Sequence, residues 1–177
     1  MTRSWPVIVA MFLALGGLSA LAGYEMAPPR PAQWREIAWP FPRDGWPAGR
    51  AFRCGTAECG TEVEVYLRPK LGFCNCDSGV ADDDEVDRVS DVDMISPRFV
   101  PLKAGDVVHV AGMPGRIRAY DLDGSRTAIG IAVSHRCDLM TVAAQGRGDA
   151  GRVQRATLKF LESREIGAWM TAAMEGR

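Results

Sequence analysis

Cys54, Cys59, Cys74 and Cys76 fall within 23 residues as C-x4-C followed by C-x-C, and a fifth cysteine stands at Cys137. Thiols at such spacing can form disulfides, hold a soft metal ion or exchange electrons. The loop Gly55-Thr56-Ala57-Glu58 is turn-forming and short enough for a local Cys54–Cys59 bridge. A bridge from Cys74 or Cys76 to Cys137 would close roughly 60 residues and contribute on the order of 4 kcal/mol by restricting the unfolded chain. An odd count leaves one thiol free or pairing between chains. The alternative is a metal: Cys54, Cys59, Cys74 and Cys76 as a tetrahedral zinc site, or the C-x-C pair on Cu(I). The x4 and x1 spacings differ from the two-residue knuckle that aims both sulfurs at one ion. Neither pair is the C-x-x-C of thiol oxidoreductases.

Other residues with chemical potential are fewer. Ser134-His135-Arg136-Cys137-Asp138 sets nucleophile and base types side by side, but a Cys–His pair needs Cys137 free. His109 lies in an alternating run and reads as a half-buried strand residue. Asp82, Asp83, Asp84, Glu85 and Asp87, with Asp91 and Asp93, form an acidic segment that a basic partner could dock on. Trp34, Trp39 and Trp46, with Phe41 and Phe52, are the densest aromatic group, suited to stacking a ligand or to tying an N-terminal arm onto the domain. Asp121-Leu122-Asp123-Gly124 begins like a calcium loop, yet the twelfth position is Ala132, so it reads as a turn. No phosphate loop, nucleophile elbow or HExxH helix is present, and no catalytic residue is assigned.

The choice among cysteine chemistries rests on the N-terminus. Arg3 precedes an apolar run from Trp5 to Leu18, and Ala20-Leu21-Ala22 fits a signal-peptidase site. Residues 1–22 are therefore expected to be a cleaved signal peptide, with an uncleaved inner-membrane anchor as the alternative. Arginine outnumbers lysine 18 to 3, as in GC-rich bacterial genomes, so the destination is the periplasm. An oxidising compartment favours disulfides over zinc, and no cofactor is expected. Without Arg3 the 21 basic residues become 20 against 22 acidic, a formal charge of −2, which excludes nucleic acid as a partner by global charge.

The elements follow from periodicity. Residues 23–47 hold six of the eleven prolines and form an extended arm in which Ile37, Trp39 and Phe41 share one face of an edge strand. Residues 48–177 are one domain. Val63, Val65 and Leu67 point inward from a strand whose Glu62, Glu64 and Arg68 point outward. Residues 82–94 read as one helix, with Asp82 and Glu85 as a capping box. Strands follow at 107–111, 116–120, 126–133 and 138–144, with Asp123-Gly124 closing a hairpin. Residues 149–174 return to helical spacing, divided at Ser163. The fold class is α+β, an antiparallel sheet flanked by helices.

The proline-broken first strand, the long connection, the Asp123-Gly124 hairpin, the apolar strand pair and a helix reading Phe160-Leu161-Glu162-Ser163 resemble, in element order over residues 34–165, secreted α/β sandwiches of the PsbP-like kind. That resemblance implies a protein that binds or supports larger complexes, without a common active site. Cys54-Gly-Thr-Ala-Glu-Cys59-Gly60 with Gly72-Phe-Cys74-Asn-Cys76-Asp77 is also similar to uncharacterised secreted proteins of alphaproteobacteria. Together these readings point to a non-enzymatic periplasmic accessory or binding protein with a partner in the cell envelope. Contact with the membrane arises only if residues 5–22 remain as an anchor.

Overall fold

Asp123-Gly124 closes the hairpin from which the sheet grows. Gly124 takes a left-handed φ of 76°, and its N–H donates to the Asp121 carboxylate at 2.9 Å. Asp123 Oδ1 accepts from the N–H of Ser125 and of Arg126. These three hydrogen bonds to carboxylates turn β6 (Met113–Asp121) into β7 (Arg126–His135). The carboxylates serve the turn, as the missing twelfth ligand predicts. A two-residue turn at 136–137 then returns the chain as β8 (Asp138–Arg147), with Arg136 left-handed at φ 58°.

The computed structural model describes residues 33–42, 44–73 and 75–175. The expected export signal, residues 23–32 and 43 of the arm, and Cys74 lie outside the described residues. Among them, no helix is long and apolar enough to cross a membrane. Earlier in the chain come β1 (Arg35–Ile37), β2 (Arg50–Cys54), the short α1 (Thr56–Cys59) and β3 (Val63–Lys70). Next are α2 (Asp83–Val89), α3 (Val92–Ile95), β4 (Val100–Pro101) and β5 (Asp106–Val110); α4 (Ala150–Leu161) and α5 (Arg164–Met174) close the chain. All pairings are antiparallel, in the order β1-β2-β3-β8-β7-β6, with β4 and β5 both on β6. The fold is α+β.

One face of the sheet meets the last two helices. Val63, Val65, Leu67, Ile129, Ile131 and Val142 pack against Val153, Phe160, Leu161, Ile166 and Met170. Asp149 caps the first of these helices, accepting from Arg152 N–H at 2.9 Å, and Ser163 divides the two as its place in the sequence predicts. The opposite face is covered as well. Ala51, Tyr66, Tyr120, Ala128 and Ala143 lie under Val92, Ile37, Trp39 and Phe41, and Val86 and Val89 sit on Ala132 and Leu139. Sheets clad on both faces need strands that are buried on both sides; eight of the ten residues of β7 are buried.

Three expectations are corrected. Arg68 does not point to solvent: it is 3% exposed and paired with Asp91. The 82–94 helix forms its capping box, with Asp82 accepting from Glu85 N–H and Glu85 accepting from Ala81 N–H, both at 2.9 Å. It nonetheless ends at Val89, because Asp91 adopts φ 63° and its carboxylate faces Arg68 and Lys70. His109 is exposed, since β5 borders the sheet and only Val110 of that strand is buried.

Candidate functional site

The cysteines are joined as Cys54–Cys59 and Cys76–Cys137. The first closes the loop that carries α1. The second fastens the 71–81 connection to the β7–β8 turn, aided by Gly72 N–H donating to Asp138 at 2.7 Å. The four-thiolate zinc site and the C-x-C copper site are corrected accordingly. Cys54, Cys59 and Cys76 have their sulfurs in covalent bonds, so those metals would require the reduced chain. Cys137 is likewise not a thiol, and a Cys137–His135 catalytic pair has no nucleophile.

The acidic segment is not a free docking face. Asp83 accepts from Arg116 at 2.6 Å and from Gly105 N–H at 2.8 Å. Asp87 accepts from Arg118 and from the Tyr120 hydroxyl, each at 2.7 Å. Strand β6 thus lays its arginines under α2, and among Asp82, Asp83, Asp84, Glu85 and Asp87 only Asp82 and Asp84 are exposed. Burial and the Asp87 carboxylate push the Tyr120 hydroxyl far above the usual tyrosine range, so it stays a donor. Tyr120→Phe is expected to lower stability by about 2 kcal/mol, the scale of a hydrogen bond to a charged group. A urea midpoint unchanged from wild type would show that this bond does not hold α2 down.

The tryptophans do not share a surface either. Strand alternation sends Trp34 to the helix-covered face, 4.3 Å from the Phe160 ring centroid. Trp39 and Phe41 go to the other face, edge-on to Tyr66, while Trp46 meets Phe73. The rings tie the arm down on two sides of the sheet.

What the fold does assemble is a polar cleft where the arm layer stops. On that face the even-numbered residues of β3 and β7 and the odd-numbered residues of β8 point the same way. At the strand ends they become Glu62, Glu64, Arg126, Gln145 and Arg147, which line a cavity of about 180 Å³. The floor is fixed by hydrogen bonds. Glu64 accepts from Arg53, from the Tyr66 hydroxyl and, at 2.9 Å, from Gln145. Arg126 donates to Gln145 at 3.3 Å and to Asp123 at 2.8 Å. Burial works against the charge on Glu64, but its donors Tyr66, Arg53 and Gln145 outweigh it and hold the carboxyl below its ordinary range. Burial, and then the Glu64 carboxylate, push the Tyr66 hydroxyl far up. At neutral pH neither group is poised to exchange a proton, which suits holding a ligand better than acid–base chemistry.

The rim is different. Glu62 is only 3.9 Å from Arg53, a loose contact. Among the described residues the Arg147 guanidinium has no ion pair or hydrogen bond, although its carbonyl is pinned by Thr61 at 2.8 Å. Glu62 also borders a second cleft, lined in part by Trp34, Arg53 and Glu58. Sequence reasoning placed Glu62 and Glu64 on the solvent side without assigning them a role, and it did not single out Arg126, Gln145 or Arg147. No protein-family model matches the chain, and no curated protein is found similar to it.

Proposed function

We propose that this chain is a non-enzymatic binding protein of the periplasm and that the cleft at the ends of β3, β8 and β7 is its ligand site. The observation that carries the reading is the contrast within the cleft. Its floor is hydrogen-bonded and preorganised, while at its rim Arg147 is unengaged and Glu62 has only a 3.9 Å contact with Arg53. Preorganised polar groups beside open ones are what a binding site needs to avoid ordering costs. The two disulfides support an oxidising compartment. The resemblance in element order to PsbP-like sandwiches points the same way and gives the protein an envelope partner.

The test is native purification from the periplasm, followed by mass spectrometry of the protein and of what it releases on denaturation. The expected protein lacks residues 1–22, carries no metal and has lost four protons to two disulfides. A small molecule should be released by wild type and be missing from a Glu62→Ala, Arg147→Ala double variant. One equivalent of metal bound to a chain with alkylatable Cys54, Cys59, Cys74 and Cys76 would establish the zinc or copper alternative instead.

A further inference from the structure

Arg126 and Arg147 are directly opposite each other, the last pair of the β7–β8 ladder. Directly opposed residues of an antiparallel pair point to the same face, and like charges there are destabilising. One step beyond the last β3–β8 pair, Val63 with Gly146, the register brings Glu62 beside Arg147. Three neighbouring strands therefore present a row of two guanidiniums and one carboxylate, spaced by about 4.8 Å per strand. Glu62 and Arg147 have opposite signs and adjoin in register, yet they form no ion pair; both line the cleft. Arg126 is partly neutralised by Asp123, which leaves Arg147 as the less compensated charge.

The total charge narrows the ligand. Around the cleft Arg53, Arg126 and Arg147 face Glu62, Glu64 and Asp123, three of each sign. A dianion such as phosphate would meet Glu62 and Glu64 with no surplus of positive charge to offset it. A planar carboxylate fits a pair of guanidinium forks. We infer that the cleft binds an amino-acid zwitterion, its carboxylate on Arg126 and Arg147 and its ammonium on Glu62. The inference rests on the cleft being the ligand site and adds the class of molecule it takes. The Glu64–Tyr66–Gln145 floor is internally bonded, and Gln145 also accepts from Arg126 at 3.3 Å, which holds that guanidinium in the row.

The test uses the full chain and saturation-transfer NMR with an equimolar mixture of the twenty common amino acids. At least one is expected to receive magnetisation from wild type and from an Arg88→Ala control, and none from Arg147→Ala. For that amino acid, titration calorimetry is then run against its N-acetyl derivative, its amide, inorganic phosphate and a dipeptide carrying it at the C-terminus. Loss of either charged end should weaken binding about ten-fold or more, the scale of one charge-assisted contact. Glu62→Gln should abolish the preference over the N-acetyl form. Arg147→Lys, which keeps the charge and loses the fork, should weaken the free amino acid too and covers the case in which Arg147→Ala is unstable. No amino acid bound, phosphate bound more tightly, or an Arg147→Ala protein that binds as wild type would each overturn the inference. Equal binding of the C-terminal dipeptide would overturn the role of Glu62 and identify a chain terminus as the source of the carboxylate. If the compound released from the periplasmic protein lacks a carboxylate or an ammonium group, this inference fails while the binding reading stands.

Discussion

Asp91→Asn is expected to lower the unfolding free energy by about 3–5 kcal/mol, the range for removing one partner of a buried ion pair. Asp91 is 7% exposed and accepts four hydrogen bonds, from Arg68 at 2.8 and 2.9 Å, Lys70 at 2.6 Å and Thr141 at 2.7 Å. The two cations it neutralises are themselves buried. Asp44 supplies the other negative charge, accepting from Arg68 at 2.8 Å. Two cations and two carboxylates balance; asparagine leaves one positive charge uncompensated against a sheet. Because a domain is stable by only about 5–15 kcal/mol, that loss takes a large share. Asp44→Asn should matter much less, since its side chain is 39% exposed and solvent screens the pair. Urea denaturation of both variants decides it. Equal, small losses would mean that water reaches Asp91 and that the cluster is not sealed.

The same cluster sets the acid response. The Asp91 carboxyl lies below its ordinary value because its bonds to Arg68, Lys70 and Thr141 outweigh the burial that opposes its charge. Asp44 is lowered to about 2, chiefly by the Arg68 hydrogen bond. A carboxylate depressed in the folded state contributes stability that is fully present above its unfolded value and is lost as pH falls through the folded one. Wild type should therefore lose stability from about pH 4 downward toward pH 2. Asp91→Asn should start lower and show a shallower slope over that window.

Much of this architecture is legible because local rules and tertiary packing agree. Asp123-Gly124, the capping box at Asp82 and Glu85, and the break at Ser163 each mark an element boundary by chemistry within a few residues. Ile37, Trp39 and Phe41 lie on one face, as their alternation requires. The failures share one cause. A pattern of alternating apolar residues identifies one buried face and says nothing of a second layer, so Arg68 was read as outward although Asp91, 23 residues later, folds back over it. The acidic segment misled for the same reason, its partners being Arg116 and Arg118 on a strand more than 30 residues away. The cleft was partly within reach. Once a two-residue turn at 136–137 sets His135 opposite Asp138, counting back pairs Arg126 with Arg147. What sequence could not supply is the place of β8 between β7 and β3, which brings Glu62 and Glu64 into the same row.

Breaking the Cys76–Cys137 bridge should be nearly as damaging as breaking the Asp91 cluster, and for a different reason. Its partners are 61 residues apart, against 5 for Cys54 and Cys59. In the chain-entropy account the constraint on the unfolded chain is worth about 4 kcal/mol for the long loop and about 2 for the short one. The long loop encloses α2, α3 and strands β4 to β7, so opening it releases most of the arm-side layer from any covalent limit. Serine at both positions, in a Cys74→Ser background to prevent reshuffling, should therefore lower the unfolding free energy about twice as much as the Cys54→Ser, Cys59→Ser pair. The two bridges should also separate by function. Cys137 follows β7 at its His135 end, and Arg126 begins the strand nine residues away, roughly 30 Å at about 3.3 Å per residue. Ligand binding at the cleft should survive loss of the long bridge wherever the protein stays folded. Cys54 adjoins Arg53, which holds Glu64, so loss of the short bridge should weaken binding while costing less stability. Equal destabilisation by both pairs would show that native-state contacts, not loop closure, dominate what these disulfides contribute.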